Sequence, residues 1–231
     1  MKIIILFPAL IFLIPFVTAN ADSEQILITK SLAMKDIIFD GKWTNLNEWK
    51  QSSHNHISYD NEMNFHLRTA HQDGFFYVFI DTIGDKTLDK NSDRATVCID
   101  GKNEKNLIAD QNDYCFSVAF GQKQGRIFQG DSIIKLNGNF QRIHNIENFI
   151  ALSNVSDEND RYSKTPHSSY EFKIPLDLLE RSDNYGFYVS VYDSSINAYY
   201  SWPTEIHREY NAIPSPKSWG NLISPDKSMA N

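Results

Sequence analysis

The chain has 231 residues, a net charge of −7 and two cysteines. It carries no cluster of Lys and Arg, which argues against nucleic acid or an anionic membrane surface as a partner, because phosphate binding needs a concentrated basic face. A chain of this length buries a sizeable core without staples and fits one β domain.

Lys2 is followed by an apolar run from Ile3 to Val17, broken only by Pro8 and Pro15, and then by Thr18-Ala-Asn-Ala21. This order reads as a secretory signal peptide over residues 1–21, with an uncleaved anchor as the alternative. The protein is therefore expected outside the membrane, secreted or extracytoplasmic, with no membrane span after cleavage. Residues 22–35 read as a polar lead-in. Asp36–Gly41 reads as a short strand ending in a turn that also holds Trp43. Thr44 or Asn45 is placed to cap a helical segment through Glu48 and Trp49.

Strands follow at Ile57–Tyr59, Met63–Arg68 and Phe75–Asp81. The run Phe75–Ile80 is nearly all apolar, which predicts a central strand buried on both faces. Gly84–Asp93 is a polar loop. The strands Ala95–Asp100 and Tyr114–Phe120 carry Cys98 and Cys115. After export, pairing is the default for two such thiols, and neighbouring antiparallel strands would set them side by side. A pair of buried free thiols is the other reading.

Arg126–Gln129 and Ile133–Leu136 suggest a hairpin, and Phe149–Leu152 a short strand. Ser153–Ser163 reads as a polar loop containing the sequon Asn154-Val155-Ser156, with glycosylation expected at Asn154. Ser169–Ile174 is a strand, and Pro175 opens a helical turn through Leu179. Tyr185–Tyr192, Tyr199–Trp202 and an edge strand at Gly220–Ile223 complete the pattern, with residues 224–231 as a tail. Many short strands between turn signals predict an all-β chain, a single antiparallel β-sandwich of jelly-roll type.

No nucleophile elbow, phosphate loop or His-Glu-x-x-His helix is present, so no enzyme activity is expected. His54 and His56 share a strand face by period two, with His66 and His71 close in sequence; they read as a metal site or as ordinary surface imidazoles. Asp81, Asp85, Asp89 and Asp93 place oxygen donors along one loop. They could bind a structural calcium, or form a solvated turn; the pattern is not an EF-hand.

Six blocks carry a resemblance: Asp40-Gly41, Glu48-Trp49, Tyr170-Glu-Phe-Lys-Ile-Pro175, Gly186-Phe-Tyr-Val-Ser-Val-Tyr-Asp193, Ser201-Trp-Pro203 and Pro216-Lys-Ser-Trp-Gly-Asn-Leu222. In this order they resemble the family 9 carbohydrate-binding modules and their DOMON-related relatives, over roughly residues 36–223. The resemblance implies a non-catalytic sandwich that binds carbohydrate or another extracellular ligand, often with structural calcium. In the family's sugar-binding members two Trp residues sandwich the ligand, since the apolar face of a sugar ring stacks on an indole. The first Trp falls at about Lys90, the family's acid at Thr96 and its amide at Cys115, and the second Trp near Tyr210. A copied cello-oligosaccharide site is therefore not expected. A rebuilt ligand site would use Tyr199, Trp202 and Tyr210, with Thr96 on the neighbouring strand. Trp49, Trp202 and Trp219 match positions of core or edge packing in the family. Thr96 and Cys98 share one face, so a bond from Cys98 to Cys115 would occupy the face that relatives use for ligand. Two other classes remain: a haem-binding electron-transfer relative with Met63 and His66 as axial ligands, and an interaction protein without a small ligand.

Overall fold

The computed structural model describes residues 24–59, 63–135, 138–180, 182–206 and 212–226. The expected signal peptide and Tyr210 lie outside the described residues.

Among the described residues thirteen strands build two sheets that face each other, and side chains two apart along a strand share a face. One sheet has five strands: β2 (Ser53–Tyr59), β3 (Met63–Gln72), β4 (Phe75–Asp81), β9 (Ile150–Val155) and β10 (Ser168–Pro175), in the order β2-β3-β4-β10-β9. The other has eight: β1 (Gln25–Leu27), β5 (Arg94–Asp100), β6 (Asp113–Ala119), β7 (Arg126–Lys135), β8 (Gly138–Ile143), β11 (Asn184–Asp193), β12 (Ala198–Trp202) and β13 (Gly220–Ile223). Its order is β1-β13-β11-β5-β6-β7-β8, and β12 also pairs with β11. Every strand pair is antiparallel except β1 with β13, which run parallel. The expected all-β sandwich is the observed one.

The inner faces meet in one core. Phe65, Leu67, Phe76, Val78, Ile80, Phe172 and Ile174 of the smaller sheet pack with Val97, Ile99, Phe116, Phe187, Val189 and Trp202 of the larger. Strand β4 is buried on both sides, as its apolar run implies: Tyr77 and Phe79 point outward into a second cluster with Met34, Ile37, Trp43 and Trp49. Residues 33–52 thus lie over the outer face of the five-stranded sheet.

Glu171 fixes that cover. Its buried carboxyl accepts from the Asp40 and Gly41 amides at 3.0 and 2.8 Å and from Trp49 Nε1 at 3.0 Å. Gly41 has φ +91°, and a Cβ there would lie 2.5 Å from the Ser153 carbonyl carbon, so only glycine fits the turn. Glu48 closes the same turn by accepting from Ile38 N and Thr44 N at 2.7 and 2.6 Å. Two neighbouring sequence blocks, Asp40-Gly41 and Glu48-Trp49, therefore meet a third, distant one at its buried acid.

The structure corrects several boundaries. The lead-in belongs to the sandwich, since Ile26 and Ile28 are fully buried in the main core and β1 pairs with β13. Consequently β1, not β13, is the sheet edge. Residues 37–39 are not a strand, because the Ile38 amide is taken by Glu48 instead of a ladder. The segment after Asn45 is a series of turns, with the Asn45 side chain accepting from the Asn47 and Glu48 amides. Arg126 to Lys135 form one strand, so the hairpin reverses between Lys135 and Gly138, not near Gly130. Gly130 packs against the backbone of Asp110, where a Cβ would meet Asp110 O at 2.1 Å. It marks a close backbone approach instead of a turn.

Candidate functional site

The outer face of the eight-stranded sheet divides into a sealed half and an open half. Thr96 and Cys98 of β5 point to this face, opposite Ser117 and Cys115 of β6. Cys98 and Cys115 are a directly opposed cross-strand pair joined by a disulfide, with Cα atoms 4.1 Å apart. The disulfide, Tyr188 and Trp219 form a buried cluster on which Phe128, Phe140, Ile206 and Ile213 pack. Trp219 stacks on Tyr188 at 6.2 Å between ring centroids. Lys105 holds this cover down by donating to Trp219 O and Gly220 O, both at 2.6 Å, and burial lowers its ammonium to about 8.

Beyond the disulfide the face opens into a groove of about 400 Å³. Arg94, Arg126 and Arg142 line it together with the amides of Asn91, Gln122 and Gln124, and no carboxylate is among its lining residues. The three arginines come from β5, β7 and β8, and register alone brings them together: Arg94 lies opposite Ala119, Ser117 opposite Arg126, and Phe128 opposite Arg142. Arg126 and Arg142 are exposed. At the other edge the Arg94 guanidinium sits 4.7 Å over the Tyr192 ring, which packs on Tyr199 at 4.5 Å. The Gln122 side chain donates to Asn91 Oδ1 across the rim.

The expected ligand residues are distributed differently. Tyr199 stands on the outer face, half-buried beside the groove. Trp202 is the correction: three residues further along β12 it points the other way, into the core, 5 % exposed. It packs on Phe187 and over Gly220, where a Cβ would meet the indole at 2.4 Å. It cannot stack on a ligand. Thr96 is buried two residues along β5 from Arg94 and donates to Ser117 Oγ at 3.1 Å; it is not among the groove's lining residues. Lys90 is exposed and lies against Gly121. Trp43, Trp49 and Trp219 are all buried.

The four aspartates also separate. Asp89 and Asp93 meet Asp193, at the end of β11, with ligand atoms within 4.8 Å of one another. Asp85 lies beside them; burial raises its carboxyl to about 6, with repulsion from Asp93 and Asp193 adding to it. Asp93 is fully buried and accepts from Ser194 and from the Asp89 amide, while Asp89 Oδ2 is buried without a hydrogen-bond partner. An all-oxygen set with an orphaned oxygen fits a hard cation such as calcium. Asp81 is elsewhere, at the end of β4 with Asp160 and His167.

His54, His56 and His66 do share one face, as period two implies, but they pack on each other instead of converging on a point. His54 Nε2 lies 2.8 Å from His66 Nδ1, and Tyr162 covers His66 at 3.6 Å between centroids. Burial, reinforced by His56, His54 and Arg68, lowers the His66 imidazole to about 3. Met63 lies in the core and His66 on the outer face, so strand parity keeps the two from flanking one haem. Asn154 is exposed on the edge strand β9, not in a loop, and its Nδ2 donates to Asp40 O at 3.1 Å. The residues that sequence reasoning missed are Arg94, Arg126, Arg142, Asp160, His167 and Asp193. Only the Arg126–Phe128 alternation gave a local signal.

No protein-family model matches the chain, and no curated protein matches its sequence. Among solved structures, a carbohydrate-binding module of family 9 from Caldicellulosiruptor kristjanssonii has a similar fold. Its complex with cellotriose matches with TM-score 0.54 at 14% identity, over 87% of this chain and 93% of that one. Its complex with glucose matches with the same TM-score and identity, over 87% of this chain and 95% of the other. The sandwich thus has a fold similar to that of a family 9 carbohydrate-binding module. Among the described residues no helix is long and apolar enough to cross a membrane.

Proposed function

We propose that this protein is a non-catalytic carbohydrate-binding module of the extracytoplasmic space, and that its ligand is an acidic saccharide held in the arginine-lined groove. The fold neighbours, solved in complex with cellotriose and with glucose, support the carbohydrate class. One observation carries the finer reading: three guanidinium groups and three side-chain amides line a groove without a carboxylate, on a chain of net charge −7. Guanidinium groups recognise carboxylate and sulfate through paired hydrogen bonds. Neutral cello-oligosaccharides want flat aromatic platforms; Lys90 stands at the first of the family's two stacking positions, and Trp202, expected in a rebuilt site, is in the core.

Calcium at Asp89, Asp93 and Asp193 would brace the groove's rim, because Asn91 and Arg94 flank Asp93 in the chain and line the groove. A glycan array probed with and without calcium tests both parts. The expected result is binding to uronate-containing or sulfated oligosaccharides, weakened by chelator. Selective binding to neutral glucans would remove the acidic-ligand reading. A blank array from folded protein would remove carbohydrate altogether and favour the protein-partner class.

A further inference from the structure

A second polar cluster lies on the outer face of the five-stranded sheet, remote from the arginine groove. Asp81 closes β4, His167 immediately precedes β10, and Asp160 sits in the loop between β9 and β10. All three are buried, at 0, 1 and 1 % exposure for Asp81, His167 and Asp160. Each offers a ligand atom within 4.8 Å of the others.

The hydrogen-bond pattern leaves a positive charge wanting. His167 Nδ1 is 2.7 Å from Thr165 O. A carbonyl only accepts, so Nδ1 carries its proton, with Ser156 Oγ at 3.0 Å as a second acceptor. Nε2 then faces Asp81 Oδ1 at 2.5 Å. A neutral imidazole and an ionised carboxylate would present two lone pairs to each other there, so a proton lies in the contact as it stands; tetrahedral zinc ligands are about 3.3 Å apart, so an ion would replace that proton and widen the contact. A proton serves that contact alone. It leaves Asp81 Oδ2 and Asp160 Oδ2, both buried and accepting from no neighbouring donor, so that only a second proton shared between the two carboxyls, or a cation, would satisfy them. Asp160 Oδ1 is already committed to the Tyr162 and Ser163 amides at 2.7 and 2.8 Å.

We propose that Asp81, Asp160 and His167 form a buried three-ligand site for a divalent first-row transition metal, zinc by choice. One imidazole and two carboxylates bring two negative charges, which a divalent ion neutralises, and the imidazole favours zinc over calcium or magnesium. Thr165 O supplies the outer partner that holds a metal-binding histidine in its tautomer. The metal would tie residues 157–166 to β4 and β10. That loop carries Tyr162, which covers His66 and stacks edge-on against Trp43. The site is independent of the carbohydrate reading.

The test is zinc titration of the chelator-stripped protein by calorimetry, with calcium present in excess to fill the all-oxygen cluster. Wild type should take up one equivalent and melt at a higher temperature. Asp160→Asn, which keeps an acceptor for the Tyr162 and Ser163 amides, should bind at least ten- to a hundredfold more weakly, the loss that an outer-shell partner alone produces. X-ray absorption of the zinc-loaded wild type should show one imidazole with oxygen ligands, and it decides the matter if the variant does not fold. No uptake by folded wild type, equal affinity in Asp160→Asn, or a first shell with two or more imidazoles (the His54–His56–His66 patch) would overturn the proposal.

Discussion

The two outer faces of the sandwich are handled in opposite ways. On the five-stranded sheet, residues 33–52 cover the face, and one buried carboxyl, Glu171, collects the covering segment's amides and the Trp49 indole. On the eight-stranded sheet the cover is apolar, a disulfide under Trp219, and it stops halfway. What lies beyond is a row of arginines and amides. The first face is closed by groups that folding requires. The open half of the second carries charged side chains that no core contact demands, and such groups mark a surface kept for something other than stability.

The sharpest way to break this contrast is Glu171→Ala. Three donors lose their acceptor, the Gly41 amide and the Trp49 indole buried and the Asp40 amide half-buried; at about 1–3 kcal/mol for each buried one, urea unfolding should show a loss of about 4 kcal/mol. A loss under about 1 kcal/mol would mean that the cover is held by its apolar contacts alone. The next effect belongs to the other face. Replacing Cys98 and Cys115 by Ala should lower stability by about 3 kcal/mol, the chain-entropy value for a loop this long. Both cysteines lie outside the arginine groove, so glycan binding by the folded variant should persist; its loss would join the two halves of that face into one unit.

A smaller effect comes from Asp113, at the sheet's far end opposite Asp100. Burial, with repulsion from Asp100, Asp110 and Glu104, raises its carboxyl to about 7, above its unfolded value. The sign follows by linkage: the contribution is fully present below the unfolded value of about 4 and is lost as pH rises through about 7. Asp113→Asn should therefore gain on wild type between pH 5 and pH 8 by about 1–2 kcal/mol. Parallel pH–stability curves for the two proteins would contradict the assignment. The smallest effect on stability is expected from Arg142→Ala, within about 0.5 kcal/mol of wild type, as for surface positions without a structural role.

Much of the frame was legible in the sequence because it rests on local pattern. The apolar run of β4 announced burial on both faces, and the cysteines announced themselves by lying in adjacent strand-like segments. Three features were not legible. Strand β1 is only three residues long, too short for alternation to declare itself, and a parallel partner at the other end of the chain completes it. The phase of β12 was hidden because Tyr199, Tyr200 and Trp202 suit either face; pairing with β11 fixes it and sends Trp202 inward. The groove and the acid clusters are products of register and topology. Arg94, Arg126 and Arg142 are brought together by ladder alignment, and Asp193 reaches Asp93 only because β11 lies beside β5.

The most direct measurement is a calorimetric titration of an acidic oligosaccharide, oligogalacturonate as the first probe and the strongest acidic array hit after it, into wild type, Arg126→Ala and Arg142→Ala at low and high salt. The account predicts saccharide binding that weakens at least about tenfold with either substitution, in folded protein, and that falls with salt as exposed charge pairing does. Binding that is unchanged by both substitutions, or matched by cello-oligosaccharide at either salt, would contradict it.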